Sequence, residues 1–113
     1  MNVTTSRRIN AGGIGWLFLL LGCSPEPSKN ELQTHKVEIK QMQFQPATLI
    51  LQKNDTVLFI NHDLVAHNVT ETSKKAWASS TLASGSSWKV VVNQSADYYC
   101  TIHPVMKGKL VVQ

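Results

Sequence analysis

The sequence predicts an all-β domain, a sandwich of about seven to eight short strands over residues 35 to 113. Runs of β-branched and aromatic residues recur at short intervals in this part of the chain. No run has the period of an amphipathic helix, and Val57-Leu58-Phe59-Ile60 is too short to form one. A composition of 42% hydrophobic and 16% charged residues in 113 residues is that of one small globular module.

The strands are predicted in this order: residues 36 to 42, 48 to 51, 56 to 61, 65 to 71, 87 to 92, 96 to 100 and 108 to 112. Segments rich in turn-forming residues support these boundaries: Gln45-Pro46, Asn54-Asp55, Ala83-Ser84-Gly85-Ser86 and Asn93-Gln94-Ser95. Aromatic residues within or near the strands are expected to pack in or beside the core: Phe44, Phe59, Trp77, Trp88, Tyr98 and Tyr99.

The first 22 residues have the organisation of an export signal. Arg7-Arg8 precedes an apolar run from Ala11 to Leu21, which as a helix spans about 16 Å, about half of the hydrocarbon core of a bilayer. Leu20-Leu21-Gly22-Cys23 resembles the bacterial lipobox, so we expect residues 1 to 22 to be a lipoprotein signal peptide and Cys23 to carry lipid. The alternative is an uncleaved membrane anchor in which Cys23 is incidental.

Residues 23 to 34 are polar and contain two prolines, so they are expected to form a flexible tether. The protein would then be exported and anchored to a bacterial membrane, facing the periplasm or the cell exterior. With Cys23 acylated, Cys100 is a single thiol in an oxidising compartment, without a disulfide partner.

The charge of the chain does not favour nucleic acid as a partner. The formal net charge is +4, but both arginines lie in the predicted signal, which leaves 9 lysines against 7 acidic residues after it. A mature chain without arginine lacks the residue best suited to bidentate contacts with guanine and phosphate. Lys74 and Lys75 are interpreted as a solvated patch.

Cys100, His103 and Met106 form the motif Cys-x2-His-x2-Met. Thiolate, imidazole and thioether are soft and borderline ligands, which favour copper over magnesium or calcium and differ from the cysteine-rich sets of structural zinc. Pro104 would break a helix here, so the three residues are placed on a tight loop between two strands.

A fourth ligand must come from elsewhere in the chain, and His67, in the segment Ala66-His67-Asn68-Val69, is the leading candidate. Met106 alone would more often fill the core, and His67 alone would more often be a hydrogen-bonded histidine. The joint pattern with the cysteine loop favours ligation. His35 and His62 are expected to be solvated.

The chain resembles a cupredoxin of the plastocyanin and amicyanin type, a type 1 blue copper protein, over residues 36 to 113. The segment from Cys100 to Val112 resembles the amicyanin ligand loop. Upstream segments follow in the order found in the family: Phe44-Gln45-Pro46, Asp55-Thr56-Val57, Phe59-Ile60-Asn61 and His67-Asn68-Val69.

The resemblance implies an eight-stranded Greek-key sandwich with one type 1 copper at one end. It implies that the copper is held by the residues His67, Cys100, His103 and Met106. It also implies that Asn68 ties the two ligand-bearing segments together by hydrogen bonds. Two residues depart from the family: Ile102 replaces the usual proline, which restores a backbone N–H near the cysteine, and Asn54 replaces a turn glycine.

The expected function is the transfer of single electrons between redox proteins, and not enzyme catalysis. Four histidines, two of them already assigned, cannot supply a second copper centre. Donor and acceptor proteins are expected to dock transiently where His103 reaches an apolar surface formed with Pro104 and Val105. The protein is expected to act as a monomer. Two alternatives stay open: a lipid-anchored copper carrier or storage module, and an adhesive sandwich with an incidental cysteine.

Overall fold

The structure, a computed structural model, describes residues 31 to 113. The eight strands in this part of the chain are β1 (Thr34–Lys40), β2 (Gln43–Gln45), β3 (Thr48–Leu51), β4 (Asp55–Asn61), β5 (Thr70–Glu71), β6 (Ser87–Val92), β7 (Ala96–Tyr99) and β8 (Lys107–Val112). Within residues 31 to 113, the structure contains no helix that could span a membrane. The predicted all-β class is confirmed.

The strands form two four-stranded sheets, in the orders β2-β1-β4-β6 and β3-β8-β7-β5. Each sheet contains one parallel pair, β1 with β4 and β3 with β8, and its other pairs are antiparallel. Because parallel neighbours cannot be joined by a tight hairpin, the chain crosses between the sheets, as it does in a sandwich.

The core between the sheets is centred on Tyr98, which is 1% exposed. Its ring lies 4.7 Å from the Phe44 ring and 5.3 Å from the Phe59 ring, measured between centroids, in edge-to-face geometry. Phe44 and Phe59 belong to one sheet and Tyr98 to the other, so these contacts join the two layers. Trp77 and Trp88 are partly buried against the same cluster, as predicted.

Two predicted strands differ from the structure by more than one residue at an end. The predicted strand 36 to 42 ends at Lys40, because Gln41 and Met42 adopt left-handed backbone angles, with φ of 56° and 58°, and turn the chain into β2. Neither residue signals such a turn in a sequence, since Asn-Gly and Asp-Gly are its usual occupants. The predicted strand 65 to 71 is reduced to β5, and the chain before it follows an irregular course.

The domain begins slightly before its predicted start at residue 35, because β1 starts at Thr34 and the backbone N–H of Gln33 donates to the Asp55 carboxylate (2.9 Å). The predicted signal peptide, Cys23 and most of the predicted tether lie outside the described residues. Asn54 has a φ of 73°, so it accommodates the left-handed turn expected of it.

Gly108 is required by the position of Tyr98. The two residues are opposite each other in the β7–β8 pair, and the Tyr98 ring lies over the glycine. A Cβ atom built on Gly108 would lie 2.1 Å from Cζ of Tyr98, so any side chain here must displace the ring from the core.

We predict that Gly108→Ala lowers the free energy of unfolding by about 3 kcal/mol, because the ring cannot shift without disturbing both sheets. The control is Gly85→Ala, whose Cβ would meet no atom within 4 Å but whose φ is +85°. We expect that control to cost about 1 to 2 kcal/mol, from backbone strain alone. Urea unfolding of the two variants measures both costs, and a smaller loss for Gly108→Ala than for Gly85→Ala would contradict this account.

Candidate metal centre

The loop between β7 and β8 carries Cys100, His103 and Met106 and is closed by its own backbone. The Cys100 N–H donates to the Met106 carbonyl (3.1 Å), and the Met106 N–H donates to the His103 carbonyl (2.9 Å). Cys100 is fully buried and Met106 is 2% exposed, whereas His103 is only partly buried. The sequence predicts that these residues lie on a tight loop between two strands, and the structure has this loop.

His67 lies outside any named strand, yet its backbone is fixed. It makes an isolated bridge with Leu82, in which each residue donates its N–H to the carbonyl of the other (3.1 and 2.7 Å). The Asn61 side chain also donates to the Leu82 carbonyl (3.0 Å) and to the carbonyl of Val65 (3.0 Å). The imidazole of His67 is therefore held in the interior, with 0% exposure.

Three donor atoms converge at this end of the sandwich. His67 Nδ1 lies 3.2 Å from His103 Nδ1, and Sγ of Cys100 lies 3.9 Å from each of these nitrogens. One point in the plane of the three atoms is about 2.1 Å from all of them, close to the lengths of about 2.0 to 2.3 Å that imidazole and thiolate ligands make to a first-row metal. The residues present therefore fit a single metal ion.

Asn68 joins the two segments that carry these donors. Its side-chain amide donates to Thr101 Oγ1 (2.6 Å), and its oxygen accepts the Thr101 backbone N–H (2.9 Å) and the Thr70 hydroxyl (3.2 Å). Its own backbone N–H reaches Cys100 Sγ (3.4 Å). Within residues 31 to 113, the N–H that reaches the sulfur is that of Asn68 and not that of Ile102.

Asp63 is the site residue that the sequence analysis missed. Its Oδ2 lies 2.8 Å from His67 Nε2, and its two oxygens accept the backbone N–H groups of Gln41 (2.8 Å) and Met42 (3.0 Å). Burial opposes the charged form, but these hydrogen bonds outweigh it and hold the pKa of Asp63 below its ordinary value of 3.8. The spacing of four residues between Asp63 and His67 gave the only hint in the sequence, and it is too common to be diagnostic.

The other two histidines lie apart from the cluster. His62 is exposed, as expected. His35 differs from the expectation that it is solvated, because its Nε2 lies 2.8 Å from Oδ2 of buried Asp55 and its side chain is only 22% exposed. In the described residues, His67, Cys100 and His103 form the group that could hold a metal.

Exposed apolar side chains lie on the two segments that carry His103 and His67. The loop of His103 carries Ile102 and Val105, which are 47% and 82% exposed, next to exposed Pro104. The segment that leads to His67 carries Leu64 and Val65, which are 93% and 47% exposed. These residues are not needed for the core, so they are available to a partner.

The comparisons with known proteins agree with this geometry. The model of the cupredoxin-like domain family matches residues 13 to 112. Amicyanin-alpha of Methylorubrum extorquens is 33% identical over 84 residues, which cover 69% of this chain and 71% of that protein. Amicyanin of Paracoccus versutus is 26% identical over 83 residues, covering 68% of this chain and 63% of that protein. The chain thus spans less than two thirds of the Paracoccus relative.

A solved Cu(I) form of an amicyanin variant has a similar fold, with a TM-score of 0.66 and 27% sequence identity. The superposition covers 71% of this chain and 82% of the amicyanin chain. The similarity therefore extends over most of the domain that the structure describes.

We predict that Asn68→Ala lowers the free energy of unfolding of the metal-free protein by about 2 to 3 kcal/mol, because it removes the acceptor of the Thr101 N–H and of the Thr70 hydroxyl. Thr101→Val is the control, since Thr101 is exposed and water can replace its hydroxyl. We expect the control to lose less than about 1 kcal/mol in urea unfolding. A loss for Asn68→Ala as small as the one expected for Thr101→Val would show that Asn68 does not tie the segments together.

Proposed function

This chain belongs to the cupredoxin-like domain family, and from that premise we propose that it is a type 1 copper protein that transfers single electrons between redox proteins. The observation that carries the proposal is the convergence of His67 Nδ1, Cys100 Sγ and His103 Nδ1 within 3.9 Å of one another. We propose these three residues as strong ligands and Met106, buried at the end of the same loop, as a weak fourth ligand.

The chemistry of the donors supports copper. Two imidazoles, one thiolate and a thioether form the ligand set of blue copper sites, whereas structural zinc sites are richer in cysteine. When bound, copper would supply a one-electron couple between Cu(II) and Cu(I). Amicyanin-alpha is among the relatives of this chain, and the similar solved structure of an amicyanin variant is a Cu(I) form.

The backbone supports electron transfer because its hydrogen bonds restrain the residues that carry the donor atoms. The loop from Cys100 to Met106 is closed by two hydrogen bonds, and His67 is fixed by its bridge with Leu82. A site whose ligands stay in place needs little rearrangement when its charge changes by one electron. Side chains so restrained also oppose release of an ion.

We propose that redox partners dock on the apolar surface around His103, with Pro104 and Val105 at its centre. His103 is the converging donor that is partly exposed, so it gives a partner the shortest approach to the site. Ile102, exposed on the same loop, adds an apolar side chain to the residues that the sequence analysis named. A transient contact here needs to bury less than about 1,200 Å² in total.

We propose no catalytic role for the chain, since the arrangement of its groups suits electron transfer. His35 is engaged with Asp55, and His62 lies on the surface without a second donor set around it in the described residues. We also propose that the protein acts as a monomer.

We propose that the protein works at the extracytoplasmic face of a bacterial membrane, held there by lipid on Cys23. The support is the sequence Leu20-Leu21-Gly22-Cys23 after a short apolar run, together with a buried Cys100 that has no disulfide. Two or more acyl chains give stable anchoring, whereas one gives only marginal binding.

We predict that Cys23→Ser abolishes incorporation of radioactive palmitate and leaves the precursor uncleaved at this position. Labelling of cells that express the two forms, followed by immunoprecipitation, measures this directly. Cys100→Ser is the control and should be labelled like the unchanged protein. Undiminished labelling of Cys23→Ser would contradict the lipid anchor.

We predict that the protein from Ser24 to Gln113 binds one equivalent of Cu(II) and becomes intensely blue or green, because a thiolate bonded to Cu(II) gives strong charge transfer in the visible range. Cys100→Ser should lose this absorption, and the control His62→Ala should keep it. A titration with Cu(II) followed by absorption spectroscopy measures both. A colourless wild-type protein would overturn the proposed function.

The same preparation separates electron transfer from copper carriage. A carrier must give up Cu(I) readily, whereas a shuttle must keep it. We expect the reduced protein to hold its copper for hours against a moderate Cu(I) chelator and to be reoxidised within seconds by a small one-electron oxidant. Loss of copper to the chelator as fast as reoxidation would favour the carrier.

A further inference from the structure

The carboxylate of Asp63 stands between the buried imidazole of His67 and the turn that joins β1 to β2. Oδ2 lies 2.8 Å from His67 Nε2 and accepts the Met42 N–H, while Oδ1 accepts the Gln41 N–H. The backbone N–H of Asp63 itself donates to Oδ1 of buried Asn61 (2.9 Å). The side chain of Asp63 thus connects the turn at residues 41 and 42 with the segment that carries His67.

The turn is unusual because Gln41 and Met42 both have positive φ, at 56° and 58°. Side chains other than glycine, asparagine and aspartate pay a steric penalty there of about 1 to 2 kcal/mol per residue. The turn persists because its two exposed backbone N–H groups share one anionic acceptor. Removal of Asp63 would therefore loosen the turn as well as His67.

The same contact determines which nitrogen of His67 carries the proton. A carboxylate can only accept hydrogen bonds, so Nε2 must carry the hydrogen that points to Oδ2. Nδ1 of a neutral imidazole is then left with a free lone pair, and this atom faces Cys100 Sγ and His103 Nδ1. His67 has 0% exposure, so water cannot replace the carboxylate as the partner of Nε2.

We propose that Asp63 is a positioning residue of the metal site, which holds His67 with Nδ1 directed at the donor cluster and makes this imidazole a stronger donor to an oxidised metal. The proposal rests on the function proposed above. A negative charge on the far side of the ring favours the more positive metal ion, so Asp63 lowers the reduction potential of the site.

The chain contains a matched control at the other end of β4. Asp55 Oδ2 lies 2.8 Å from His35 Nε2, and the Asp55 carboxylate accepts the backbone N–H groups of Gln33 (2.9 Å) and Gln52 (3.0 Å). This carboxylate makes the same kinds of contact as Asp63. It lies at the first residue of a strand that ends at Asn61, about 20 Å from the segment that carries Asp63.

The test compares Asp63→Asn with Asp55→Asn in the copper-loaded protein. The amide of asparagine offers one acceptor oxygen where Asp63 has three N–H groups to satisfy, and it carries no charge. We expect Asp63→Asn to reduce the preference for Cu(II) over Cu(I) about tenfold, which raises the potential by about 59 mV for one electron. Asp55→Asn should change this preference less than twofold. Asp63→Glu, which keeps the charge, should retain part of the wild-type preference for Cu(II).

A second measurement reads the imidazole directly. In the diamagnetic Cu(I) protein, the Nε2 proton of His67 should give a slowly exchanging NMR signal that Asp55→Asn leaves unchanged. Asp63→Asn should shift this signal and accelerate its exchange. If Asp63→Asn had the same reduction potential and the same His67 signal as Asp55→Asn, the proposal would be overturned.

A folding defect would not obscure the result. The turn can be made independent of Asp63 by Gln41→Asn with Met42→Gly, which are the residues such a turn prefers. In that background Asp63→Asn should still raise the potential, and an unchanged potential there would overturn the proposal.

If the wild-type protein gives no copper–thiolate colour, the proposed function fails, whereas the Nε2 signal of the metal-free protein still decides whether Asp63 orients His67.

Discussion

The site depends on the hydrogen bonds between Asn68 and Thr101, because they join two segments that are 33 positions apart in the chain. His67 and Cys100 each lie next to one of these residues, so the amide fixes their separation. A pair of hydrogen bonds from one planar side chain restrains direction as well as distance. Without this connection, the loop after β7 could move relative to His67, and three donors could not stay within 3.9 Å of one another.

The aromatic core between the sheets supports the ligand loop. Tyr98 is two residues before Cys100, and its ring is locked between Phe44 and Phe59 of the opposite sheet. Gly108 makes room for that ring on β8 at the other end of the ligand loop. Both ends of the loop are therefore anchored to the same aromatic cluster, so core packing and loop geometry are coupled. The Tyr98 hydroxyl is buried without a hydrogen-bond partner among the described residues.

The sequence was sufficient for most of the fold and for the converging donors. Short-range patterns decide both: β-branched runs define the strands, and the spacing of Cys100, His103 and Met106 defines the loop. The sequence was insufficient where tertiary contacts replace local preference. The Gln41-Met42 turn lacks the usual residues because Asp63, which is distant in sequence, satisfies its N–H groups. His35 was placed in solvent for the same reason, since its partner Asp55 lies on a different strand.

The two histidines of the cluster have opposite environments, and this difference suits them to different tasks. His67 is buried with the Asp63 carboxylate on its far nitrogen, so it cannot leave the cluster without breaking this hydrogen bond. His103 is partly exposed and lies on the loop that the hydrogen bonds of Cys100 and Met106 close. An electron needs only a short path and no broken bond, so it can pass at His103 while His67 and Cys100 stay in place. Release of an ion would require all three donors to dissociate from it. The least mobile of these donors is His67, which Asp63 holds by a hydrogen bond.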